Sequence, residues 1–134
     1  MTKLFVTFDM GPVPDDLTGQ EEQDLARPVF RKLMKALRQA GVKAAGSPEK
    51  WDDYGWYAEF VIDDACVVMM LQRSDEWLVQ VWPERGFFDR IKGRVFTEEA
   101  NRVAVATKGA IANAFGVEAR GPMTEREFTA LVFE

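Results

Sequence analysis

Histidine is absent from the 134 residues of the chain, and cysteine occurs once, as Cys66. The first absence removes the commonest general base and the commonest transition-metal ligand. Nucleophile pairs of the Ser–His or Cys–His type cannot be assembled within the chain, and zinc centres built on Cys and His go with them. A single cysteine excludes an internal disulfide and fits a reducing compartment. Long hydrophobic runs are lacking too: the longest, Ala65 to Leu71, falls far short of the ~20 apolar residues that span a bilayer. Residues 1–9 show neither a basic segment before a long apolar run nor a cleavage pattern, so the expected location is cytoplasmic, away from any membrane. Phosphate-cradling glycine loops and dinucleotide fingerprints are missing as well.

What is present describes an ordinary globular chain. Hydrophobic residues make up 47% and charged residues 29%, values that support a packed core rather than disorder. The length fits one domain covering residues 1–134. Twenty-two acids against 17 bases give a formal net charge of −5, which argues against a general nucleic-acid binder and would suit a basic protein partner.

The hydrophobic pattern predicts the elements. Residues 3–8 are mostly apolar and read as a strand. Residues 9–24 hold six acids and no base; they read as a loop, with Thr18 and Glu21 in capping-box spacing for a helical turn. A helix to Gln39 follows, with Ala26, Val29, Phe30, Leu33, Leu37 and Ala40 on one face. Pro28 places its start near Asp24, and Gly41 is its natural terminator. Residues 25–48 contain six bases and no acid; Arg27, Arg31, Lys35 and Arg38 form a stripe that reads as a solvated face. Residues 42–45 suggest a short strand and 46–55 a loop.

Residues 56–62, 65–72 and 77–82 are three strand-like runs joined by short polar links, the pattern of an antiparallel meander. A two-residue turn at Asp63-Asp64 pairs Ile62 with Ala65 and Phe60 with Val67. One face then carries Trp56, Ala58, Phe60, Ile62, Ala65, Val67, Met69 and Leu71, a core face. The other carries Tyr57, Glu59, Val61, Cys66, Val68, Met70 and Gln72, and is semi-apolar. The third run presents either Trp77, Val79 and Val81 or Leu78, Gln80 and Trp82 to the core, depending on its turn. Residues 83–96 form a linker rich in glycine, arginine and aromatics. Thr97 caps a second helix whose small face is Ala100, Val103, Thr107, Ala110, Ile111 and Ala114, ended by Gly116. Residues 117–120 suggest an edge strand, and Thr124 with Glu127 a capping box before a last helical turn. The expected fold class is α+β: a two-layer sandwich, its antiparallel sheet of about four to five strands backed on one face by two main helices.

Three acidic groups offer oxygens to a hard cation: Asp9 with Asp15 and Asp16, Asp52-Asp53, and Asp63-Asp64. None has calcium-loop spacing, and helix-start and turn roles account for Asp15-Asp16 and Asp63-Asp64, so no metal and no cofactor are expected. Cys66 lies in an apolar strand without a cationic neighbour in sequence, which reads as a small buried hydrophobe rather than a reactive thiolate. The aromatics carry more. Trp51, Tyr54, Tyr57 and Trp82 read in two ways, since such rings dominate both core energetics and interface hot spots: they cover the edge of the core, or with Asp52 and Asp53 they line an acidic, aromatic recognition surface. Phe87 and Phe88, set between arginines, either tuck under the sheet edge or are further partner-contact candidates.

The second half resembles a known layout. A strand ending in tryptophan, Phe88-Asp89-Arg90 through Arg94, an alanine-rich helix, Gly116-Val117 and then Thr124-Glu125-Arg126-Glu127-Phe128 is similar to small proteobacterial α/β proteins of unknown function, some of which resemble the immunity proteins of bacterial toxin systems. The resemblance spans roughly residues 77–134 and implies no particular functional residue. The expectation is therefore a non-enzymatic cytosolic domain that binds a protein partner, as toxin immunity or as a secretion chaperone. Two alternatives stand beside it: a homodimer built on the semi-apolar face, and a histidine-free enzyme using carboxylates or a metal.

Overall fold

A computed structural model of the protein describes residues 3–11, 17–52, 55–63, 65–73, 76–84 and 97–133, with backbone only at 46–49, 97, 132 and 133. Among the described residues, nine elements follow one another: β1 (Leu4–Phe8), α1 (Gly19–Gln39), β2 (Ala44–Asp52), β3 (Gly55–Ile62), β4 (Ala65–Arg73), β5 (Trp77–Glu84), α2 (Thr97–Phe115), β6 (Arg120–Thr124) and α3 (Glu125–Phe133). The strands form a six-stranded sheet in the order β2-β3-β4-β5-β1-β6, every neighbouring pair antiparallel. The fold is α+β, with more strands than the four to five expected.

The additional pairing lies at the edges. Gly46, Ser47 and Pro48 read as loop, yet β2 pairs with β3 on both sides of a register irregularity between Ala45 and Lys50. β6 starts at Arg120 rather than ending there, and contains Pro122. Proline withholds a ladder hydrogen bond, which an edge strand tolerates and an inner strand does not. Both edges thus carry a proline and a break in register, features that discourage further strand addition.

The meander forms in the expected register, Ile62 opposite Ala65 and Phe60 opposite Val67. Leu71 pairs with Val79 and Met69 with Val81, so Trp77, Val79 and Val81 join the core face. β1 lies against β5, Val6 opposite Val79, and adds Leu4, Val6 and Phe8 to that face. Phe8, Phe60, Met69, Leu71, Val6, Val67, Val79 and Val81 are fully buried there.

Helices α1 and α2 cover this face. Phe30 of α1 stacks on Trp56 at 6.1 Å, and Phe115 of α2 stacks on Phe8 at 5.7 Å. Ala26, Phe30, Leu33, Ala36 and Leu37 are the buried stripe of α1, while Ala40, expected on it, is exposed. α2 buries Ala100, Val103, Ala104, Thr107, Ala110 and Ile111. The Thr107 hydroxyl donates to the Val103 carbonyl at 2.7 Å, which satisfies the one polar group on that stripe.

α1 begins at Gly19, five residues before Asp24. Thr18 is its N-cap: its hydroxyl accepts from the Glu21 N–H at 3.2 Å and donates to the Glu21 carboxylate at 3.0 Å. Pro28 consequently sits inside the helix. Its ring removes one intrahelical bond, a loss eased because Pro28 is exposed and its surroundings are open to water. In the preceding turn, Trp56 Nε1 donates to the Gln23 carbonyl at 3.0 Å. Gly41, at φ 89°, ends the helix as expected.

α3 lies apart from the two main helices. Its capping box is closed both ways: the Glu127 N–H donates to the Thr124 hydroxyl and the Thr124 N–H to the Glu127 carboxylate, each at 3.2 Å. Phe128 then stacks on Phe5 at 4.6 Å. Phe5 alternates with Leu4 and Val6 and therefore points to the second face of the sheet. The two main helices share one face, and α3 packs on the other.

Candidate functional site

The second face follows from the same registers. One row crosses the whole sheet: Lys50, Tyr57, Met70, Gln80, Phe5 and Met123. The next holds Glu59, Val68 and Trp82, and the one beyond it Val61, Cys66 and Glu84. Val68 and Leu78 are buried, Tyr57, Met70 and Trp82 are half-buried, and Val61 is 58% exposed. Among the described elements, α3 is the one that packs on this face, over Phe5 near its far side. The rest is an apolar strip with charge around it.

Those charges are specifically placed. Lys50 Nζ lies 6.0 Å from the centroid of the Tyr57 ring and 3.8 Å from Glu59 Oε1. Lys3 Nζ stands 5.1 Å from the centroid of the Trp82 ring and donates to Gln80 Oε1 at 3.4 Å. Gln80 Nε2 in turn donates to Gln72 Oε1. The two lysines thus sit over the two outward rings, a geometry in which the ring quadrupole attracts the cation. An apolar centre with a polar, charged rim is the usual anatomy of a protein interface.

The predicted site residues separate. Tyr57 and Trp82 lie on the second face, and Asp52 is exposed at the end of β2. Trp51 does not join them. It pairs with Trp56, its ring 5.4 Å from the Trp56 ring at a 59° tilt, and it packs against the core on the helix side. A strand at residues 50–52, rather than the loop expected there, causes this, because alternation sends Trp51 and Tyr57 to opposite faces. Asp53, Tyr54, Phe87 and Phe88 lie outside the described residues.

Sequence reasoning passed over what stands beside Trp82. Cys66 on β4 pairs across with Glu84 on β5, and its thiol donates to Glu84 Oε2 at 3.4 Å. Burial pushes the Cys66 thiol up to about 11, helped by the Glu84 hydrogen bond and the charges of Glu84 and Glu59, and opposed by Lys50. Cys66 is half-buried rather than enclosed as expected, yet it stays a neutral thiol at physiological pH and a poor nucleophile. The sequence clue was present in outline: Glu59 alternates onto the same face as Cys66. Glu84, across the sheet, could be placed only once β5 had a register.

Glu59, Cys66 and Glu84 each offer one metal-type donor atom, all within 4.8 Å of one another, and they are the one such trio among the described residues. The acids singled out from sequence behave differently. Asp9 accepts from the Gly11 N–H at 2.9 Å, and Asp63, at φ 48° in the β3–β4 turn, holds Arg102 at 2.6 Å. Local turn and ion-pair roles account for both. Asp15, Asp16 and Asp64 lie outside the described residues. A separate open groove at the end of α1 is lined by Val42, Ile62, Val105 and Arg102; its guanidinium is already engaged by Asp63. No helix among the described residues is long and apolar enough to cross a membrane. No protein family and no curated protein matches the chain.

Proposed function

We propose that the chain is a non-enzymatic cytoplasmic domain that binds a protein partner through the second face of its sheet, in the manner of a toxin-immunity protein or a secretion chaperone. The observation that carries this reading is the contrast between the two faces. Two helices close the first, whereas Tyr57, Val68, Met70 and Trp82 line the second with α3 over its far side alone among the described elements. Rings of this kind supply rigid contact area at low entropic cost, and methionine adapts to a partner's shape. The net charge of −5 of the whole chain favours a basic partner. Both edge strands carry prolines and register breaks, which leaves the face rather than the edge as the docking route. The chemistry of Cys66 supports a binding role over nucleophilic catalysis, since its thiol is held protonated.

The test is affinity capture of the tagged protein from its own cells alongside three variants, Tyr57→Ser, Trp82→Ser and, as a control on the outer side of α1, Lys35→Ser, each checked for folding by circular dichroism. The expected result is one stoichiometric partner held by the wild type and by Lys35→Ser and lost from the other two. Recovery of untagged copies of the same chain with the same variant pattern would identify the partner as a second copy, the homodimeric form of this reading. Equal retention by all folded variants would overturn the assignment to this face.

A further inference from the structure

No further inference is drawn: the strongest candidate, the side-chain cluster of Glu59, Cys66 and Glu84 on the second face of the sheet, is two solvent-accessible carboxylates beside a lone cysteine, and nothing else in the structure points to an ion held there.

Discussion

At the scale of single residues, close approach and charge decide more than residue type. A Cβ built on Gly55 would stand 2.3 Å from the Leu71 carbonyl oxygen and 2.9 Å from Gln72 Cγ. Glycine is required there by space, since β3 and β4 meet at that point. Gly55→Ala is therefore expected to cost about 1–3 kcal/mol, the range for forcing atoms into a packed interior, read as a lower urea midpoint at unchanged slope. Cys66 gives a second residue-scale prediction. Its thiol ionises near 11 in the folded chain, against 9.0 for an ordinary thiol. The folded state thus retains the proton longer, and this contribution is complete below pH 9 and lost as pH rises towards 11. Alkylation of Cys66 should be slow at pH 7–8 and accelerate through that window. Glu84→Gln removes a charge that raises the thiol's ionisation point, so the alkylation profile should move to lower pH; an unmoved profile would show that the Glu84 charge does not contribute.

Individual elements depend on their caps and on one or two aromatic contacts. α1 carries Pro28 and so relies on its first turn, which Thr18 and Glu21 close reciprocally. Thr18→Ala should destabilise the domain by about 1 kcal/mol, the usual cost of losing a side-chain cap, measured by thermal or urea unfolding. α3 hangs on the Phe5–Phe128 stack, a type of pair that adds about 0.5–1.5 kcal/mol beyond its buried area. Phe128→Ala should speed amide exchange throughout α3 while leaving β4, with neighbours on both sides, protected. Uniform deprotection of β4 and α3 together would instead mean that α3 unfolds only with the whole domain.

For the molecule as a whole, the proposed use of the second face for partner binding predicts that substitutions on the two faces separate stability from partner retention. Trp51 packs beside Trp56 on the helix side, so Trp51→Ala should lower stability by about 1–3 kcal/mol and leave partner retention intact in the fraction that folds. Trp82 lies on the other side under Lys3, so Trp82→Ser should do the reverse. Parallel unfolding curves and capture experiments distinguish the two; loss of retention in folded Trp51→Ala would place the partner on the helix side of the edge strand.

The sequence by itself determined whatever depends on near neighbours along the chain. Periods of 3.6 and 2 mark α1, α2 and the meander, because a helix or strand buries one face whatever it packs against. Asp63-Asp64 set the β3–β4 register, since a two-residue turn allows few pairings. Thr124 and Glu127 announced α3 through bonds between residues three apart. The exclusion of histidine chemistry needed no structure at all. Tertiary structure decided the rest, where the partners are distant in sequence. β1 sits between β5 and β6, about 70 and 120 residues away along the chain, and nothing local prescribes that order. The side to which Trp51 points was set by β2 pairing across a break in register. Cys66 met Glu84 only when β5 aligned on β4. A strand's two faces are equivalent to its own backbone, and a one-residue slip exchanges them; only the packing of α1 and α2 decided which side of the sheet became the main core face.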